Sequence, residues 1–269
     1  MKVVILAGGL GTRLREETEV RPKPMVGIGG RPILWHIMRR YAHFGFTEFV
    51  VCLGYKGDVI RDYFLNYRMH NSDITVTLGS PQIEVHNGRT EYGWRVTLAE
   101  TGDKTWTGGR LKRIGKYIHG ERFMATYGDG VADIDLDRLL ECHLRSGKLA
   151  TVTAVHPSSR YGELKVDEGT VENFQEKPQT VNSWINGGFF VFEREVLDLI
   201  EDDTESLEIG LLMKLAERRE LGVYTHEGFW QCMDTYREMQ ILNRMWEAGD
   251  APWAQFDAPA QMRMAEAGD

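Results

Sequence analysis

Arg13 and Lys23 fall within one stretch that runs from Gly8-Gly9-Leu10-Gly11-Thr12 to Arg21-Pro22-Lys23-Pro24-Met25. Glycines directly after an apolar run, here Val3-Val4-Ile5-Leu6-Ala7, leave backbone N–H groups open to a closely approaching anion. An arginine beside them is a second anion-binding element, so the chemistry suggested is phosphate handling. Lys23 alone would read as a solvated loop charge. The prolines on either side restrict its backbone, and beside Arg13 it becomes a candidate for neutralising phosphate. The stretch is not a P-loop, because no Gly-Lys-Ser/Thr closes it. It is not a dinucleotide fingerprint either, since Leu14 stands where a third glycine belongs.

Two carboxylates could do chemistry. Asp129 follows the run Phe123-Met124-Ala125-Thr126-Tyr127 and lies between glycines, which suits a metal ligand at a strand's carboxyl end and equally an Asp-Gly turn. Asp234, between Met233 and Thr235 ahead of a helical pattern, reads as an N-cap. Lys177, between Glu176 and Pro178, reads as a surface turn, and Gly108-Gly109 before Arg110 as the start of a helix. Phe229 and Trp230 read as core. The eight histidines are scattered with no His-x-x-x-His, and no Gly-x-Ser-x-Gly exists, so covalent and zinc mechanisms have no support.

The elements that must position these groups follow from periodicity. Residues 3–7 and 49–53 are short β-branched runs of the kind buried on both faces of a parallel sheet. Pro32 suits the first turn of a helix carrying Ile33, Leu34, Ile37, Met38 and Tyr41, which Gly45 ends. A second helical face runs through Val59, Ile60, Tyr63, Phe64 and Tyr67. Residues 73–100 alternate, with Asn87-Gly88 as a hairpin signal, and predict an antiparallel excursion from the main sheet. Helices are expected over 107–118, 136–146, 207–218 and 236–248, and strands over 123–127, 150–155, 163–166, 171–174 and 188–192. The expected fold is α/β, a mostly parallel sheet flanked by helices. One domain over 1–254 is expected, with a tail, 255–269, that lacks an apolar face.

Composition limits the partners. With 32 basic and 40 acidic residues the net charge is −8, which argues against gripping nucleic acid or an anionic membrane by bulk charge but not against a small anion. Three well-separated cysteines, Cys52, Cys142 and Cys232, point to a reduced, cytoplasmic setting. No apolar run reaches the ~18 residues of a membrane span.

Gly8-Gly9-Leu10-Gly11-Thr12-Arg13 followed by Pro22-Lys23-Pro24-Met25 resembles the signature of the nucleotide-sugar pyrophosphorylases, Rossmann-like enzymes that move a nucleotidyl group from an NTP onto a sugar 1-phosphate. Later segments follow the same family in order. They are Gly54-Tyr55-Lys56-Gly57, Thr107-Gly108-Gly109-Arg110, Tyr127-Gly128-Asp129-Gly130, Glu176-Lys177-Pro178, Asn186-Gly187-Gly188 and Trp230-Gln231-Cys232-Met233-Asp234. Together they resemble its CTP-using branch, whose acceptor is glucose 1-phosphate. The resemblance implies that Leu6, Ala7, Gly8, Gly9, Leu10, Gly11, Thr12, Arg13, Lys23, Thr107, Arg110 and Gly128 bind the nucleotide. It assigns Tyr161, Gly162, Glu176, Lys177, Asn186 and Gly187 to the sugar phosphate, and Asp129 and Asp234 to Mg²⁺. Arg13, Lys23, Asp129 and Lys177 would carry catalysis. It further implies a homo-oligomer, with 73–100 a candidate contact region, and neither nucleic-acid nor membrane partners. A sister enzyme using UTP, dTTP or another sugar phosphate, and a non-catalytic nucleotide-sugar sensor, are the rival readings.

Overall fold

The computed structural model describes residues 1–86, 93–157, 163–167, 170–175 and 183–256. The chain opens with β1 (Lys2–Leu6), a 3-10 turn over Thr12–Leu14 and the single-turn α1 (Arg15–Thr18), and Lys23–Met25 forms a second 3-10 turn. The two-residue strands β2 (Gly27–Ile28) and β3 (Arg31–Pro32) pair across Gly29 and Gly30, whose φ values of 58° and 79° suit glycine. Then come α2 (Ile33–His43), β4 (Glu48–Leu53), α3 (Gly57–Leu65) and α4 (Tyr67–His70), followed by β5 (Asp73–Val76), β6 (Ile83–His86) and β7 (Arg95–Glu100). The middle of the chain holds α5 (Thr107–Ile114), β8 (Arg122–Tyr127), β9 (Gly130–Ala132), α6 (Leu136–Ser146) and β10 (Ala150–Val155). After β11 (Glu163–Asp167), β12 (Thr170–Gln175) and β13 (Ile185–Glu193) comes a π-helical segment, Leu207–Leu212, continued by α7 (Met213–Glu217). The chain ends with β14 (Leu221–His226), β15 (Trp230–Cys232) and α8 (Tyr236–Glu247).

Seven strands form the central sheet in the order β14-β10-β13-β8-β1-β4-β7. Every pair is parallel except those of β13, which runs antiparallel to both β8 and β10. Successive residues of β1 serve opposite faces: Val3 and Ile5 pack with α2 and α8, while Val4 and Leu6 pack with α5 and the 207–215 segment. That double burial is why these strands read as continuous apolar runs. The chain leaves β1 for β4 on one side and later returns to β8 on the other. The carboxyl ends of β1 and β8 therefore flank a topological switch point, the crevice where α/β sheets take ligands.

The region 73–100 holds the expected antiparallel excursion in its first part and departs from it in its last. Only β5 and β6 form an antiparallel hairpin, turning through 77–82, and Asn87-Gly88 lies outside the described residues. Residues 95–100 instead join the main sheet, parallel to β4. As an edge strand β7 is only half covered, and in sequence Val96 and Leu98 alternate with the polar Arg95 and Thr97. Pro32 precedes α2 rather than entering it. The helix expected over 107–118 is α-helical to Ile114 and tightens to a 3-10 turn over Gly115–Tyr117, and the one over 207–218 begins as a π-helix. Gln255 and Phe256, the first residues of the expected tail, are held: Arg40 bonds the Gln255 carbonyl and the Phe256 ring lies 4.8 Å from His43.

Candidate active site

At the switch point a cleft of about 1020 Å³ is lined by residues 6–13, Lys23, Gly128 and Asp129, together with 103–107, Ser206 and Glu208. Its volume is that of a small-molecule site. Gly11, at φ 64°, turns the loop out of β1, and its Cβ position is already crowded by Thr18, whose hydroxyl bonds the Gly11 and Leu14 carbonyls. The 3-10 turn after Pro22 points Lys23 inward, leaving its side chain only 9% exposed.

Lys23 Nζ lies 2.6 Å from Asp129 Oδ2 and also bonds Asp234 Oδ1, and Arg13 Nη1 lies 2.5 Å from Asp234 Oδ2. The two carboxylates arrive by different routes. Asp129 follows β8, and Asp234 follows β15, which pairs with β9 so that Met233 N–H donates to the Asp129 carbonyl. Burial alone would depress the Lys23 pKa; the Asp129 charge and the hydrogen bonds to both aspartates outweigh it, and the pKa rises above the ordinary lysine value. Burial likewise opposes ionisation of Asp234, yet the Lys23 hydrogen bond, its charge and that of Arg13 hold the carboxyl below its usual range. Two cations against two anions leave the centre near neutral until a polyphosphate enters. Asp234 is not the expected N-cap. Thr235 caps α8 in a capping box with Glu238, freeing the aspartate for the site.

The donor set fits a hard divalent cation. Carboxylate oxygens of Asp129 and Asp234 and the Cys232 sulfur lie within 4.8 Å of one another. Two oxygen donors, with phosphates and waters completing the shell, suit Mg²⁺, which has no use for the thiol. That Lys23 already bridges both carboxylates shows the pair accepting positive charge between them.

Arg110 lines the cleft, but its guanidinium donates to the Gly8 carbonyl (3.0 Å), the Leu53 carbonyl (2.8 Å) and the Thr101 hydroxyl (2.7 Å). These bonds tie together the loops leaving β1, β4 and β7, so the buried Arg110 is held by neutral oxygens, whereas the exposed Arg13 is paired with Asp234. A Cβ on Gly8 would sit 2.2 Å from this guanidinium, which explains that glycine. Gly108 and Gly109 are helical, as their bare sequence suggested, and admit the backbone of residues 203–205 within 2.7 Å of where side chains would start.

Asn186 and Gly187 stand at the start of β13 outside the lining of the cleft; Asn186 Nδ2 donates to the hydroxyl of Tyr127, which does line it, and Trp230 Nε1 donates to the Gly187 carbonyl at 2.8 Å. Trp230 and Phe229 pack against the core, as expected, and from β15 the Trp230 indole also ties that strand to β13. Tyr161, Gly162, Glu176 and Lys177 lie outside the described residues. Several lining residues carry no role on sequence alone, Tyr127, Ser206 and Glu208 among them; the signal for Glu208 is Ser206, a good N-cap residue two positions earlier.

The glycine loop at the switch point and the paired carboxylates bridged by a lysine define a phosphate-handling α/β enzyme of the nucleotidyl-transferring class. The chain belongs to the nucleotidyl transferase family, which it matches over residues 2–235. It is 53% identical over 254 residues to the glucose-1-phosphate cytidylyltransferase of Salmonella typhi, covering 94% of this chain and 98% of that one. It is 42% identical to the probable glucose-1-phosphate cytidylyltransferase of Bacillus subtilis, covering 94% and 99%. Among solved structures, HddC from Yersinia pseudotuberculosis shares the fold with a TM-score of 0.67 at 24% identity, over 91% of this chain and 99% of that one. Among the described residues no helix is long and apolar enough to cross a membrane.

Proposed function

We propose that this chain transfers the cytidylyl group of CTP to glucose 1-phosphate, giving CDP-glucose and pyrophosphate, with Mg²⁺ held by Asp129 and Asp234. The observation that carries nucleotidyl transfer is Lys23 spanning both aspartates beside the glycine loop. The choice of CTP and glucose 1-phosphate rests on the names of the relatives at 53% and 42% identity.

A phosphate oxygen of the sugar attacks the α-phosphorus in line, and the bond from that phosphorus to the pyrophosphate oxygen breaks. No general base is needed, because a phosphate monoester with a second pKa of about 6 is already largely dianionic at neutral pH. The difficulty is that two polyanions must meet and charge then moves onto pyrophosphate. Arg13 and Lys23 offset the triphosphate charge, the open N–H groups of residues 8–12 cradle it, and Lys177 receives the acceptor phosphate. Mg²⁺, when bound, supplies further neutralisation of the phosphate oxygens. Holding both substrates in the cleft provides the rest through orientation.

We place the enzyme in the cytoplasm as a homo-oligomer. A panel of CTP, UTP, dTTP and GTP against several sugar 1-phosphates, read as released pyrophosphate, tests the reading. CTP with glucose 1-phosphate is expected to dominate; preference for another pair would assign the chain to a sister activity, and tight nucleotide binding without pyrophosphate would make it a sensor.

A further inference from the structure

Glu208 lines the cleft and takes no part in the mechanism above, yet three hydroxyl groups converge on its carboxylate. Its Oε2 accepts from the Thr107 hydroxyl at 2.9 Å and the Ser206 hydroxyl at 2.5 Å, and its Oε1 accepts from the Tyr127 hydroxyl at 2.5 Å. Burial opposes its ionisation, but these bonds, led by Ser206 and Tyr127, keep it a carboxylate, its pKa below the usual glutamate value.

The direction of every bond is fixed. Thr107 Oγ1 accepts from Leu207 N–H, and Ser206 Oγ accepts from the N–H groups of Glu208 and Ile209, so both hydroxyl protons are committed to Glu208. A carboxylate cannot donate, so the Tyr127 proton also points at Glu208, and the Tyr127 oxygen is left to accept. It accepts from Asn186 Nδ2 at 3.3 Å, while Asn186 Oδ1 takes the Gly188 N–H at 2.8 Å. Gly188, at φ 79°, is where the Tyr127 ring passes, since a Cβ there would meet Cδ2 at 2.4 Å. The amide is thereby oriented from both ends, and its second Nδ2 proton faces no partner among these groups.

We propose that Glu208 is a positioning residue for the acceptor: acting through Tyr127, it fixes the Asn186 amide so that an N–H, not a carbonyl, is offered to an acceptor oxygen of the sugar phosphate. This rests on the reading of Asn186 as part of the sugar subsite.

Glu208→Gln tests it with almost no change of volume. Two hydroxyls donate to the Oε2 side and one to the Oε1 side, so the new amide NH₂ turns towards Tyr127. The Tyr127 hydroxyl must then donate to Asn186, where the amide already donates. KM for glucose 1-phosphate is expected to rise about tenfold, the effect of one lost hydrogen bond, with KM for CTP within about twofold. In a Tyr127→Phe background the same substitution should add less than about twofold, because the reversed dipole is gone. An unchanged sugar-phosphate KM, equal rises for both substrates, or an undiminished effect in the Tyr127→Phe background would overturn the proposal. If Glu208→Gln lowers the melting temperature by more than about 5 °C, Tyr127→Phe alone carries the test. A rise of about threefold or more in the same KM is expected, and no rise overturns it. Asn186→Ala separates the two levels: an unchanged sugar-phosphate KM there refutes the subsite reading itself.

Discussion

Acid should loosen this fold, and one buried histidine should account for a defined share of the loss. His36, on α2, is 2% exposed; its Nε2 lies 2.9 Å from the Ile28 carbonyl and its Nδ1 accepts from the Trp253 indole N–H at 3.3 Å. A carbonyl can only accept, so the ring proton sits on Nε2 and Nδ1 must stay bare for the indole. Burial is the main cause that lowers the pKa from 6.5 to about 4; the Ile28 carbonyl works against it, and the charges of Arg39 and Arg31 add to it. The unfolded chain therefore binds a proton below 6.5 that the folded chain refuses until about 4, and stability is lost as the pH falls through that window. The full gap of about 2.5 units is worth about 3 kcal/mol, of which about 2 kcal/mol is gone by about pH 5. Urea unfolding followed by tryptophan fluorescence, at about pH 7.5 and about pH 5, measures it in the native chain and in His36→Gln. Other titrating groups contribute equally to both proteins, so the native chain should lose about 2 kcal/mol more than the variant. Parallel pH profiles would show that His36 is not held neutral by its surroundings, and the reasoning would fail.

Further expectations concern the site. Lys23→Ala and Asp129→Ala should each cut turnover by about 10²-fold or more while the far-UV circular dichroism stays native, since both act on developing charge; near-normal turnover would remove them from the mechanism. Chelation by EDTA should abolish pyrophosphate release and added Mg²⁺ restore it, which a metal-independent rate would contradict. Gly8→Ala drives a methyl group into the Arg110 guanidinium and should weaken nucleotide binding about tenfold or more by calorimetry, with overpacking of about 1–3 kcal/mol to relieve. Of the three thiols, Cys142 should react first with Ellman's reagent, because burial pushes Cys52 up to about 12 and burial with the Asp129 charge pushes Cys232 up as well. Mass mapping of the first modified thiol decides that.

Local periodicity carried much of the fold. The boundaries of α6 agree with the expected 136–146, because Asp135 caps its first turn by accepting from Arg138 N–H and Gly147 ends it at φ 60°. Errors came where neighbours distant in sequence decide the outcome. β7 looked like part of an antiparallel excursion because an edge strand and an isolated hairpin share the same alternation. The strands β14 and β15 went unrecognised: β15 is three residues long and exists because β9 pairs with it. Asp234 looked like a cap because aspartate and threonine both cap well; the capping box of Thr235 with Glu238 assigns that task to the threonine.

By itself the sequence determined that the chain handles phosphate, through glycines, Arg13 and a proline-flanked Lys23 packed into a short span after the first strand. Those features are local, and backbone freedom and side-chain charge act over a few residues. Only the tertiary structure decided which charges meet: Lys23 with Asp129 and Asp234, 106 and 211 positions away. It also turned Arg110 back onto Gly8, Leu53 and Thr101, and set Glu208 beside Tyr127. Pairings of that kind depend on strand order at the switch point, and strand order is set by burying both faces of a sheet whose strands are far apart in sequence.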